Sequence, residues 1–118
     1  MANYRMNRIN EEIQRELSEI LRTVKDPRVS EHFITVTYCD VSADLKFAKI
    51  YYSIFDTDDE VQKEVADGIK SAKKYIRGEI SRRLNIRYTP ELTFIYDDSI
   101  KKGIEMNEKL KKIGDELR

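Results

Sequence analysis

Tryptophan is absent from this 118-residue chain, and histidine, cysteine, proline and glycine are scarce: one, one, two and four. Each shortage excludes something. The single cysteine, Cys39, rules out an intrachain disulfide and points to a reducing compartment. The lone His32 has no companion at metal-ligand spacing and no Ser/Asp set for nucleophilic catalysis. Four glycines form no phosphate-cradling Gly-rich loop. No apolar run approaches the roughly 20 residues of a membrane span. Residues 1–10 carry Arg5 and Arg8 without an apolar core, so no secretion signal is expected. Adjacent Asp97 and Asp98 lack the further ligands of a metal site and read as helix-capping residues. What remains is a cytoplasmic single domain for which no catalytic residue, metal or cofactor is expected.

Charge is what the chain has in abundance. Lysine and arginine total 22, aspartate and glutamate 22, and the net charge is zero. The balance hides a segregation. Residues 56–67 hold six acids against Lys63, while residues 70–89 hold seven basic residues against Glu79 alone. Lys70, Lys73, Lys74 and Arg77 follow at i, i+3, i+4 and i+7, which places them on one side of a helix; Arg82, Arg83 and Arg87 come next. Solvated helical faces usually alternate sign. A face of one sign repels itself, so a polyanionic partner, nucleic acid first, accounts for it better than solvation alone.

Periodicity supplies the frame. Met6, Ile9, Ile13, Leu17, Ile20 and Val24 mark an amphipathic helix over 5–24, ended by Asp26-Pro27. Glu12 stands four residues from Arg8, and Glu11 and Glu19 four from Arg15, so these arginines are read as salt-bridged and Arg5 as the free one. Residues 32–41 and 45–55 alternate as two strands of an antiparallel hairpin. Val61, Val65, Ile69, Ala72, Ile76, Ile80 and Leu84 mark a second helical region whose slightly long period predicts a bend or break near Gly68–Ala72. Pro90 opens a third strand over 91–96, and Asp98 or Ser99 starts a last helix with Ile100, Ile104, Leu110, Ile113 and Leu117 as its stripe. The order predicts an α+β domain with helices on one face of a small sheet.

Several pieces of the chain, in order, resemble the ribosome-binding factor A family. They are Arg8-Ile9-Asn10-Glu11-Glu12-Ile13, Asp26-Pro27-Arg28-Val29, Val41-Ser42-Ala43-Asp44-Leu45, Tyr75-Ile76-Arg77 and Arg87-Tyr88-Thr89-Pro90-Glu91-Leu92, closed by Tyr96-Asp97-Asp98-Ser99-Ile100. The resemblance implies a type II KH-like fold, α-β-β-α(kink)α-β with a three-stranded sheet, over residues 1–98, and a C-terminal helical tail over 99–118. Where KH domains carry a GxxG loop, the family has a kink at Ala-x-Gly. Here that position reads Ala72-Lys73-Lys74, so Ala72 marks the kink and a lysine replaces the glycine.

The resemblance also implies a partner and a role. The family binds the immature 30S subunit at its 16S rRNA, assists late rRNA processing, matters most in the cold, and leaves with help from an assembly GTPase. It is not known as an enzyme. Lys70, Lys73, Lys74, Arg77, Arg82, Arg83, Arg87 and Arg5 are therefore the expected RNA contacts, in a monomer without membrane attachment. A generic KH-like RNA binder and a protein-interaction module using the acidic segment are the alternatives.

Overall fold

A computed structural model of the chain describes residues 4–56, 58–84, 86, 88–99, 102–103, 106–107 and 109–110, with side chains from Met6 onward. Helix α1 spans Tyr4–Thr23 and buries the stripe expected of it, with Ile13, Leu17, Ile20 and Leu21 in the core and Val24 just beyond. A one-turn helix α2, Pro27–Ser30, follows, which periodicity did not reveal. Asp26 caps it, accepting the Arg28 backbone N–H at 3.0 Å, and Pro27 takes the first helical position, where a missing N–H costs nothing. One proline both ends α1 and starts α2.

Strands β1 (Ile34–Val41) and β2 (Phe47–Ile54) form the expected antiparallel hairpin, and β3 (Glu91–Tyr96) has the expected bounds. The sheet order is β1-β2-β3, and β3 runs parallel to β2. A parallel pair needs a crossover, here helix α3. In the hairpin turn Leu45 adopts φ 62, held by its N–H to the Ser42 carbonyl at 2.9 Å and by Asp44 Oδ1, which accepts from the Ser42 hydroxyl and the Lys46 N–H. Two α1 side chains occupy the outer edge of β1: Gln14 Nε2 donates to the Val36 carbonyl at 3.2 Å, and Asn10 Oδ1 accepts from the Val41 N–H at 3.0 Å. Bonds of this kind deny the edge to a further strand.

Helix α3 runs unbroken from Asp59 to Leu84, so the interruption expected near Gly68–Ala72 is not a break in the helix, and Ala72 lies within it, half-buried against the core. Asp58 accepts the Glu60 N–H at 2.9 Å, and Asp59 and Glu60 occupy the first turn, where acids favour the positive helix end. Val65, Ile69, Ile76 and Ile80 are fully buried. Gly68 is the point of closest approach to α2. A Cβ there would lie 2.8 Å from both Arg28 Cβ and Val29 Cγ2. The long apolar period is absorbed in this way, since α3 packs on α2 as well as on α1 and β3.

The core joins α1, α2 and α3 to one face of the sheet through Val36, Cys39, Val41, Ala48, Ile50, Tyr52, Ile54 and Leu92. Beyond β3, Asp97 Oδ1 accepts the Ser99 N–H at 3.0 Å and Asp97 Oδ2 the Thr37 hydroxyl at 2.7 Å, so it caps as read. Of the expected tail stripe, Leu110 is exposed; Ile100, Ile104, Ile113 and Leu117 lie outside the described residues.

Two outcomes follow from this packing. Gly68→Ala should lose stability, because overpacking of roughly 1–3 kcal/mol exceeds the gain of up to about 1 kcal/mol in helix propensity. Gly78→Ala, with nothing within 4 Å of its Cβ, should gain that propensity. Urea titration of both checks the pair, and two gains would contradict the close approach. Cys39, whose thiol burial pushes up to about 12 with Asp40 adding to the shift, should resist alkylation in the folded protein and react on unfolding.

Candidate nucleic-acid interface

With one side of α3 buried, its basic residues have only the outer side. Lys70, Lys74 and Arg77 are exposed and Lys73 is half-buried. Because the helix is continuous, their spacing puts all four on one side. Among the described residues none of the four forms an ion pair. Arg77 reaches back through Nη2 to the Thr89 carbonyl at 3.2 Å and tethers the connection that leads into β3. Among the described residues Lys70, Lys73 and Lys74 are thus the members of the stripe with neither an ion pair nor a side-chain hydrogen bond.

The next two arginines differ from the sequence expectation. Arg83 is only 25% exposed in its side chain and lies 3.4 Å from Glu16, 3.3 Å from Glu19 and 3.3 Å from Glu79. Its guanidinium ties α3 to α1. Arg82 is outward and pairs with Glu79. Glu79 is the one acid within the basic segment, whereas Glu16 and Glu19 arrive from another helix, which no local charge count registers. Hydrogen bonds from Arg82 and then from Arg83 hold the Glu79 carboxyl below its usual value, against some desolvation. Arg87 and the Arg5 side chain lie outside the described residues.

The fold brings other cations toward the stripe that spacing along α3 could not indicate. The Tyr75 hydroxyl and Thr23 Oγ1 share a hydrogen bond of 2.7 Å, which sets the end of α1, with exposed Arg22 and Lys25, beside the middle of α3. Arg28 Nη2 donates to Ser71 Oγ at 3.1 Å, although that guanidinium is chiefly engaged by Asp26 at 2.7 Å. Tyr75 is half-exposed and bonded to α1, and Tyr88 is 74% exposed. In α1, Arg8 pairs with Glu12 at 3.3 Å as read, but Glu19 goes to Arg83.

An apolar cleft of about 540 Å³ opens between α1, the hairpin turn and the α3–β3 connection. Its two acids are already engaged, Glu12 by Arg8 and Asp44 by Ser42 and Lys46. His32 Nε2 lies 3.4 Å from Glu64. Among the described residues no three His, Cys, Asp or Glu side chains gather as a metal site would need, and no helix is long and apolar enough to cross a membrane.

The chain is similar to known proteins of one family. The sequence pattern of the family described as Ribosome-binding factor A matches residues 5–110. Ribosome-binding factor A of Clostridium beijerinckii is 45% identical over 114 residues, covering 96% of each chain, and that of Clostridium tetani 44% identical over 114, covering 96% of this chain and 93% of its own. The crystal structure of ribosome-binding factor A from Thermus thermophilus superposes with a TM-score of 0.67 at 22% identity over 77% of this chain and 93% of its own. A Thermus thermophilus ribosome binding factor A fitted into the cryo-EM map of a 30S complex gives 0.61 at 22% identity, covering 75% of this chain and 91% of that one. The fold is therefore KH-like, as expected.

The Arg83 cluster makes a prediction with a sign. A carboxyl held below its usual value adds stability that is complete above the ordinary glutamate range and is lost as the pH falls through the lowered value. Arg83→Gln should lower the melting temperature at pH 7, and its deficit should shrink as the pH is taken down through that range. Thermal melts between neutral and acid pH check this. A deficit of constant size would show that Arg83 acts by packing rather than by charge.

Proposed function

The chain belongs to the ribosome-binding factor A family, and on that premise we propose that it docks on the immature small ribosomal subunit, sets the outer side of α3 against 16S rRNA, and assists late maturation of that RNA. Lys70, Lys73 and Lys74 are the principal phosphate contacts in this reading. Arg77 contributes from the lip of the α3–β3 connection, and Arg82, Arg87 and Arg5 extend the contact. Arg83 holds α3 in place and does not reach for phosphate. The protein acts as a cytoplasmic monomer, and an assembly GTPase promotes its release.

One observation carries the proposal: three neighbouring lysines on one side of a rigid helix, without a carboxylate partner among the described residues. A helix that binds nothing gains about 0.2–0.5 kcal/mol from each i,i+4 pair of opposite sign. α1 takes that gain at Arg8–Glu12, and α3 forgoes it along this side. Fixed cations that displace condensed counterions from RNA recover more. Contacts to phosphate position a protein and read little sequence, so the choice of site falls to RNA shape and neighbouring proteins.

The test is binding of the whole chain to isolated small subunits. Reversal of Lys70, Lys73 and Lys74 to glutamate should weaken binding at least tenfold at moderate salt and leave far-UV circular dichroism unchanged. For the parent chain, between three contacts from the principal lysines and seven from all the named cations to single-stranded RNA predict a slope of about −2 to −5 in log affinity against log salt. Full affinity in the triple variant, or a flat salt dependence, would refute an interface led by phosphate.

A further inference from the structure

The sheet has a second face, and its composition differs from everything packed around the core. Ala48, Ile50, Tyr52 and Ile54 turn inward from β2. The alternate positions turn out, and two of them are aromatic: Phe47, 56% exposed, and Tyr51, whose ring lies tilted beside Tyr38 of β1 with centroids 5.8 Å apart. Phe33 and Phe55 lie immediately outside the paired ends of β1 and β2, at 69% and 77% exposure. Isolated exposed aromatics need no explanation, but a set clustered on one sheet face does. Ser53, the remaining outward position of β2 beside Lys49, is fully buried, so the exposed aromatics stand on either side of a covered point.

Charge decides what such a face fits. Phe33 and Phe55 flank an open recess of about 390 Å³ whose walls also include Glu31 and Asp56, both exposed. Asp58 follows Asp56, and Glu64 lies 3.4 Å from His32 at the recess wall. The outward charged residues of the strands are Asp40, Lys49 and Glu91. A nucleic-acid strand would bring phosphates against these carboxylates. A lysine or arginine side chain would instead lay its stem and cation on the phenylalanine rings and its charge beside Glu31 and Asp56.

From these observations we infer that the outward, aromatic face of the sheet is a docking surface for an extended, Lys/Arg-rich polypeptide segment of a small-subunit protein. One basic side chain seats in the Phe33–Phe55 recess, and the segment continues over Tyr51 and Tyr38 toward Phe47. This rests on the docking proposed above. The two sides of the domain then meet different polymers, the basic side of α3 rRNA and the acidic-rimmed aromatic side protein. The opposed charges also fix which way round the domain sits, because neither side tolerates the other's partner.

The experiment uses the full chain on isolated small subunits, with Phe55 replaced by a photoreactive benzoyl-phenylalanine. Crosslinked peptides are expected to map to a Lys/Arg-rich stretch of a subunit protein. Glu31→Lys with Asp56→Lys, both exposed, should weaken binding about tenfold, and Phe33→Ser with Phe55→Ser should do so with the helical content unchanged. Crosslinks to rRNA, crosslinks between two copies of this chain, or no crosslink from a bound chain would each overturn the inference while leaving the basic side of α3 intact. Failure of the unsubstituted chain to bind subunits would instead refute the docking itself, and this inference with it.

Discussion

The anchoring of α3 is the constraint on which the rest of this domain depends. At about 1.5 Å per residue its 26 residues span about 39 Å, and in a protein most of a helix's stability comes from packing its apolar face rather than from propensity. Val65, Ile69, Ile76 and Ile80 bury one side of it, each contributing roughly 1.5–3 kcal/mol. Gly68 lets its first half close on α2, and Arg83 clamps its last turns to α1 through Glu16 and Glu19. A helix fixed at both ends cannot rotate to hide its cations or bring them to carboxylates elsewhere. The core thereby makes Lys70, Lys73 and Lys74 available.

The same anchoring divides the labour among arginines that look alike in sequence. Arg83 is spent on three carboxylates, Arg82 on one, and Arg77 on a backbone carbonyl that positions the approach to β3. Arginine suits these tasks, because its planar fork of donors meets several acceptors at once, whereas lysine remains a mobile, well-hydrated point charge. In the proposed reading lysines lead the binding side and arginines hold the frame, a division that chemistry favours.

Much of the fold was legible in the sequence, and the reasons differ by element. The bounds of β3 were readable because Pro90 punctuates a short alternating run, and α1 because its stripe repeats without interruption. α2 escaped because one turn shows no period, although the Asp-Pro pair that caps and opens it was in view. The break expected in α3 came from treating its buried face as though it met a single neighbour. Two helices and a strand receive it, and the drift of the apolar positions follows them. Of the candidate interface, the lysine side was legible because i, i+3 and i+4 neighbours are set by the helix alone. The role of Arg83 was not, since its partners lie 67 and 64 residues away and only tertiary packing unites them. The outward aromatics of the sheet were hidden by the inward stripe that alternates with them.

Lysine acetylation by a small water-soluble reagent, read by mass spectrometry on the free chain and on the chain bound to isolated small subunits, tests the central claim most directly. Lys70, Lys73 and Lys74 should be strongly protected on binding, while Lys63, at the acidic start of the same helix, and Lys109 keep their reactivity. Equal reactivity of the three lysines in the free and bound states would contradict the account.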